Sequence, residues 1–422
     1  MSTNQPEETP RMEHEHRSLD LPPDRMREMG YAVVDRLVDR IAGVGDAPAW
    51  QGATREEMRR RLGDVDPADP VPFDTLLDQL FGDVLPYATR TDHPRFFAFI
   101  PSCPTWPGIL GDLIAAGSAI YPGTWIGSAG YSSLELEVLG WFREWIGYPA
   151  ESAGLLMSGG SMANLTALVA ARDARLGEDW RGGVLYTSSE AHSSVVRAAR
   201  VLGFAEDRIR VLPADEAFRL DPAALADVVK RDRAAGLRPF FVAANAGATS
   251  TGAIDPLPAL ADLCDREGLW LHVDGAYGGF AVLTERGASL LEGLDRADSV
   301  TLDPHKWLYQ PFEAGCLLVR DGHDLLNAFR VGASYLQDTT LEAGTLPDAG
   351  EVNFGDRGPQ LTREARALKV WLSVRSFGLD RIRHPVQDDR GHGQAGLRHH
   401  HRGRNRGTGL CRPDARPGRQ QD

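Results

Sequence analysis

Lysine is almost absent from this 422-residue chain. Lys230, Lys306 and Lys369 are the only three, and the other 43 basic residues are arginine. Such a bias suggests a GC-rich coding sequence, and it makes a lysine at the end of a strand conspicuous. Cysteine is scarce as well: Cys103, Cys264, Cys316 and Cys411 stand far apart with no CxxC pair. That excludes a disulfide scaffold and a zinc ribbon, and it fits a reducing, cytoplasmic setting. No apolar run approaches the ~20 residues that a membrane-spanning helix needs, so no membrane partner is expected. The first twenty residues contain no apolar stretch, so no secretory signal is expected. Positive charge is also short, and the net charge of −13 argues against a nucleic-acid partner for the body of the chain.

The rest is ordinary globular material, 42% apolar and 25% charged. The length suggests two or three domains, or one large α/β core with appendages. Residues 1–20 are polar and rich in Pro and Glu, and read as disordered. Met29, Val33, Leu37 and Ile41 then recur at helical spacing. A second helical stretch follows Thr54 and a third covers 73–80, giving a helical N-terminal unit over 21–88. From 96 to 319 short apolar runs alternate with helical ones: 184–186, 209–212, 240–244, 269–273, 299–302 and 316–319. This alternation predicts an α/β domain over 89–384, with a mostly parallel sheet covered by helices on both faces. A further amphipathic helix carries Leu361, Ala365, Leu368 and Leu372 and ends near Gly378.

Ligands of such sheets bind beyond the carboxyl ends of the strands, so polar residues directly after a strand are the first candidates for chemistry. Asp274 follows the run 269–273 and precedes Gly-Ala-Tyr-Gly-Gly. Alone, it is as well explained as a turn aspartate. Lys306 lies in Asp303-Pro304-His305-Lys306-Trp307, just past the run 299–302. A partly buried lysine gives up its proton more readily and can form a Schiff base with a carbonyl; alone, a surface lysine is the simpler reading. Ser158-Gly159-Gly160-Ser161 opens a helical run, and free N–H groups at a helix N-terminus suit a phosphate, although serine is also a common cap. Asn164, in the first turn, is a candidate to orient that loop. His192 and Thr249 follow further strands, and each alone reads as a structural loop residue. Together these residues make a set. A lysine for an aldehyde, a helix N-terminus for a phosphate, an aspartate for a pyridine nitrogen and an imidazole to stack on a ring are what a pyridoxal phosphate site needs.

At these residues the chain resembles the group II pyridoxal-phosphate decarboxylases, which act on aromatic L-amino acids, histidine and glutamate. His272-Val273-Asp274-Gly275-Ala276-Tyr277-Gly278-Gly279 is similar to that family's HVDAAYAG-type segment. Asp303-Pro304-His305-Lys306-Trp307 is similar to its (N/D)PHKW segment, with the same 32 residues from aspartate to lysine. The resemblance runs from about residue 21 to Asp389. It implies pyridoxal-phosphate fold type I, the aspartate-aminotransferase-like fold, with an N-terminal helical dimerisation segment and a homodimer. It also implies an L-amino-acid substrate, and Lys306 as the residue bonded to pyridoxal 5'-phosphate. By the same resemblance Asp274 faces the pyridine nitrogen and His192 stacks on the ring and assists proton transfer. Gly160 and Ser161 hold the phosphate, His305 completes the phosphate or substrate shell, and Thr249 and Ala276 lie near the ring. Asp303 stands where animal relatives have Asn. In the substrate pocket Ser102 is implied to meet the carboxylate, with Phe99 and Trp125 as apolar walls. Tyr335 is implied to return a proton to the substrate carbon after CO2 leaves, which favours simple decarboxylation over aldehyde formation; a packing role for this loop tyrosine stays open. No metal site is expected.

The aromatic residues around the pocket favour an aromatic substrate. An aliphatic substrate such as valine, or an aldehyde synthase, are the enzymatic alternatives. Residues 390–422 depart from the pattern. They hold eight Arg and two Asp, a net of +6, which leaves −19 on the first 389 residues. The family continues there into a C-terminal subdomain that is largely missing from this chain. We read 385–422 as an aberrant basic tail, unstructured and compatible with a one-base frame shift near codon 390. An inactive pseudoenzyme and an RNA-binding accessory using the Arg/Gly tail are the readings of another class.

Overall fold

Seven strands form one sheet: β1 (Ala153–Met157), β2 (Gly183–Ser188), β3 (Ile209–Leu212), β4 (Arg238–Asn245), β5 (Trp270–Asp274), β6 (Ser299–Leu302) and β7 (Gly315–Val319). Their spatial order is β1-β7-β6-β5-β4-β2-β3. Strand β7 runs antiparallel to both neighbours, and the other pairings are parallel. The carboxyl ends of six strands therefore share one edge with the amino end of β7. In register, Asn245 of β4, Asp274 of β5 and Thr301 of β6 form a row across that edge. Strands β2, β5, β6 and β7 are buried along their whole length, as the near-continuous apolar runs of a covered parallel sheet require.

This computed structural model describes residues 19–63, 66–96, 100, 103–331 and 351–388. The chain divides into two units, Met1–Ala98 and Phe99–Asp422. In the first lie α1 (Pro23–Ala42), α2 (Arg55–Leu62) and α3 (Phe73–Gln79). Helix α1 starts on Pro23, whose fixed φ suits the first helical position. Helix α2 starts on a capping box: the Glu57 N–H donates to Thr54 Oγ1 at 3.2 Å, and the Thr54 N–H donates to Glu57 Oε2 at 2.8 Å. Arg40 pairs with Asp92 at 2.7 Å, and His93 Nε2 donates to the Ala47 carbonyl at 3.0 Å. Helix α1 has no buried residue: Met29, Val33 and Leu37 are half-buried, while Met26, Tyr31, Val38 and Ile41 are exposed.

The second unit carries the sheet and α4 (Trp106–Gly117), α5 (Trp125–Ile146), α6 (Gly160–Leu176), α7 (Ser193–Val201), α8 (Pro222–Ala234), α9 (Leu257–Glu267), α10 (Glu285–Leu290), α11 (His323–Phe329), α12 (Ala367–Phe377) and α13 (Leu379–Asp388). Helix α6 turns Ala163, Ala167, Leu168, Ala170 and Ala171 inward. Its small residues let the sheet approach closely. Helix α12 starts at Ala367, so Leu361 and Ala365 precede it and the sequence-based helix is too long at its start. The chain there is instead tied down by a buried ion pair. Arg363 grips Glu135 of α5 at 2.5 Å and donates to the Leu156 carbonyl of β1 at 2.7 Å, while Glu135 Oε1 accepts the Leu156 N–H at 2.8 Å. Removing one partner of such a pair costs roughly 3–5 kcal/mol, because the other charge is left buried. Helices α4 and α12 touch almost backbone to backbone: a Cβ on Gly111 would fall 2.7 Å from Lys369 Cα. Leu368 is buried and Leu372 half-buried, so this face is largely covered by described residues.

Candidate active site

The expected site residues come to one cleft. Gly160, Ser161, His192, Thr249, Asp274, Ala276, Asp303, His305 and Lys306 all line a cavity of about 320 Å³ at the shared edge of the sheet. Each lies at a strand end or a helix start. Trp125 does not line this cleft; it opens α5, with its N–H donating to Asn353 Oδ1 at 2.9 Å. Ser102, Phe99 and Tyr335 lie outside the described residues, as does the tail from 389 onward.

The three lysines separate cleanly. Lys230 is exposed on α8. Lys369 is buried and committed, its Nζ 2.9 Å from Asp112 Oδ1 and 3.2 Å from the Glu313 carbonyl. Lys306 stands in the cleft, 21% exposed at its side chain, with Nζ 3.0 Å from Asp303 Oδ2. Asp303 is almost wholly buried, and its Oδ1 has no hydrogen-bond partner among the described residues. Burial, only partly offset by Lys306, pushes this carboxyl up to about 6. His305 Nδ1 accepts the Ala314 N–H at 3.0 Å, so the ring proton sits on Nε2, 3.5 Å from Asp303 Oδ2. Burial together with Lys306 and Lys369 pushes this imidazole down to about 4, and it is neutral at pH 7.

At the end of the neighbouring strand β5, Asp274 accepts the Ala276 N–H at 3.1 Å on Oδ1 and the Asn164 Nδ2 proton at 2.8 Å on Oδ2. Asn164 is therefore not a loop-orienting residue at the helix entrance. It points from α6 into the sheet and is buried. His192 caps α7, its ring exposed to the cleft and its Nδ1 2.8 Å from Ser194 Oγ. Thr249 stands exposed at the rim.

The donor set fits a phosphorylated pyridine aldehyde. The helical hydrogen bonds of α6 begin with the N–H groups of Met162 and Ala163, both on the Gly159 carbonyl, so the preceding N–H groups of Gly160 and Ser161 are not used by the helix, and that of Gly160 is directed at the Asp303 carboxylate. Glycine keeps this floor open: a Cβ on Gly160 would fall 2.9 Å from Ala276 Cβ, and one on Gly159 would fall 3.2 Å from His305 Cε1. An amine, a carboxylate and a helix N-terminus thus converge on one cavity. No cluster of His, Cys, Asp or Glu among the described residues could hold a metal ion.

The sequence reading passed over some of the lining. Asn245 ends β4 and donates from Nδ2 to Ser188 Oγ at 3.2 Å, and the strand-end rule covers it. Glu313 reaches the cleft from the start of β7, where a rule built on carboxyl ends does not look. Tyr277 packs edge-on against Trp307, with ring centroids 5.0 Å apart.

Comparison with known proteins agrees with the geometry. The family described as "Pyridoxal-dependent decarboxylase conserved domain" matches residues 56–389. An aromatic-L-amino-acid decarboxylase of Bacillus atrophaeus is 41% identical over 369 residues, covering 87% of this chain and 76% of that protein. A phenylacetaldehyde synthase of Arabidopsis thaliana is 31% identical, covering 86% of this chain and 76% of the relative. Among solved structures, Oryza sativa TDC with PLP and tryptamine superposes with a TM-score of 0.83 at 31% identity, over 88% of this chain and 78% of that one. The fold is thus that of the fold type I decarboxylases, and no described helix is long and apolar enough to cross a membrane. The chain belongs to the pyridoxal-dependent decarboxylases, carboxy-lyases that use pyridoxal 5'-phosphate to decarboxylate amino acids.

Proposed function

We propose that this chain decarboxylates an aromatic L-amino acid to its amine and CO2, with the cofactor carried on Lys306. The observation that carries the reading is the convergence of Lys306, Asp274, His192 and the N-terminus of α6 on one cavity. When bound, pyridoxal phosphate supplies a sink for the electron pair left at the substrate carbon as CO2 departs. Lys306 Nζ provides the amine for the aldehyde, and Asp303, 3.0 Å away, is its counter-charge while it is free. Asp274, held on both oxygens by Ala276 and Asn164, presents its carboxylate to the ring nitrogen. Gly160, Ser161 and His305 take the phosphate end, and Thr249 and Ala276 border the ring. His192, exposed to the cleft, would cover the ring of a bound cofactor and hold a proton at Nε2. Ser102 meets the substrate carboxylate, Phe99 supplies an apolar wall, and Tyr335 returns the proton that replaces CO2.

The aromatic preference is supported by the 41% identical relative, which is an aromatic-L-amino-acid decarboxylase. Aldehyde formation is the second reading, favoured by the 31% identity to a phenylacetaldehyde synthase. The holoenzyme incubated with phenylalanine, tyrosine, tryptophan and valine decides between them. Aromatic amines are expected, without peroxide. Tyr335→Phe is expected to raise aldehyde and peroxide, and an unchanged product ratio would remove Tyr335 as the proton donor. Faster turnover of valine would overturn the aromatic assignment. We also propose a homodimer built through the N-terminal helices. The exposed side chains of α1 support this, and a fully active monomer by light scattering would refute it.

A further inference from the structure

Behind Asp274 lies a buried polar chain whose proton directions can be worked out from one end. Trp270 Nε1 can only donate, and it donates to Ser299 Oγ at 2.8 Å. Ser299 Oγ lies 2.8 Å from His272 Nδ1, where either atom could donate. Asn164 Oδ1, 3.0 Å from Nε2, can only accept, so the His272 ring proton is on Nε2 and Nδ1 takes the Ser299 hydroxyl proton. Thr301 Oγ1 donates to the same oxygen at 2.8 Å, so both its lone pairs are used. The amide cannot flip, because a flip would turn Oδ1 onto the carboxylate of Asp274. Its Nδ2 therefore spends both protons on the cleft side, one on Asp274 Oδ2 and one on Ser194 Oγ, each at 2.8 Å. Ser194 passes its own hydroxyl proton to His192 Nδ1 at 2.8 Å, and its backbone N–H approaches the same nitrogen at 3.3 Å. A backbone N–H cannot accept, so Nδ1 of His192 carries no proton and Nε2 does. Burial pushes His272 down to about 4, which keeps the relay neutral where it must be.

We infer that Asn164 is a positioning residue that serves Asp274 and His192 at once, orienting the carboxylate directly and fixing the tautomer of the imidazole through Ser194. Every donor and acceptor in the chain has one consistent assignment, and Asn164 is where it branches. A purely packing role would need neither the amide nor the buried Thr301 and His272 that hold the amide in place. The inference rests on the reading that Asp274 and His192 face the cofactor.

The test uses the full-length protein stripped of cofactor, titrated with pyridoxal phosphate and read by absorbance, together with the 15N signals of His192. Asn164→Leu keeps the volume and removes the donors. Losing one hydrogen bond to a charged group corresponds to roughly ten- to a hundred-fold in affinity, and a rise of that size in Kd is expected, with a shift of the His192 Nδ1 signal. Ser194→Ala cuts the His192 arm alone, so it is expected to shift the same signal while weakening the cofactor less. Asp274→Ala is the reference. If it leaves Kd unchanged, the reading of the site fails and the inference with it. If it weakens binding while a folded Asn164→Leu binds normally with unchanged His192 signals, the inference alone fails. Should Asn164→Leu not fold, an unchanged His192 signal in Ser194→Ala overturns the proposal.

Discussion

The two walls of the cleft solve the problem of burying polar groups in opposite ways. Behind Asp274, from Trp270 to Ser194, each side chain of the relay has a partner at 3.0 Å or less. Around Lys306 an aspartate, a histidine and a lysine crowd together, and Asp303 Oδ1 has no partner among the described residues. A satisfied network in a low-dielectric interior is rigid, whereas an unsatisfied one is sensitive to each proton and charge brought to it. The difference suits a carboxylate that should hold still on one side and an amine that must react on the other.

The largest break in this contrast should come from Lys306→Ala. Loss of the reacting amine is expected to lower kcat/KM on the order of a thousand-fold or more. It should also abolish the bond to the cofactor that borohydride fixes; peptide mapping checks this, and a label on Lys230 or Lys369 would break the assignment. Next in size is His192→Ala. An exposed ring adds little to the core and only its cap on α7 is lost, so the unfolding free energy in urea is expected to fall by about 1 kcal/mol or less. Turnover is expected to fall roughly ten- to hundred-fold, and an equal loss in stability would make this histidine structural.

The smallest effect sharpens the reactive wall. A carboxyl at about 6 in the folded chain and 3.8 unfolded holds more protons folded between those values. Its contribution therefore favours folding below about pH 4 and is lost as pH rises through 6. Asp303→Asn removes that titration. Relative to the variant, the cofactor-free wild type is expected to gain on the order of 1 kcal/mol between pH 7 and pH 5, measured in urea melts. A pH-independent gap between the two proteins would mean that Asp303 does not titrate in this range.

Six of the seven strands were legible because they end in residues that break the apolar run, such as Asp274 and Asp303. Strand β1 was not: Ala153-Gly154-Leu155-Leu156-Met157 has no β-branched residue, so its short apolar run carries little strand signal although Pro149 and Gly159-Gly160 bound it. The motif residues Asp274 and Lys306 were legible from type and place together. Asn164 was visible only as a polar residue near a helix start, since its partners Thr301 and His272 come from strands more than a hundred residues away. The start of α12 was misplaced because Leu361 and Ala365 continue the helical spacing, although Arg363 between them is pulled toward Glu135 instead. Glu313 escaped because a single antiparallel strand reverses the rule for which end faces the ligand.

The position of β1 at the margin of the sheet also sets a timetable. Gly154 pairs with Leu318, and among the described residues β7 is the sole sheet neighbour of β1. At about 5–20 residues per second on a ribosome, the intervening roughly 160 residues take on the order of ten to thirty seconds to appear. Until they do, Ser158 to Ser161 hang from a strand with no sheet to join, while β2, β3, β4 and β5 can already pair among themselves. The phosphate end of the cleft is thus the last part of this site that a growing chain can complete, following closely on Ser299 and Thr301, which finish the relay behind Asp274.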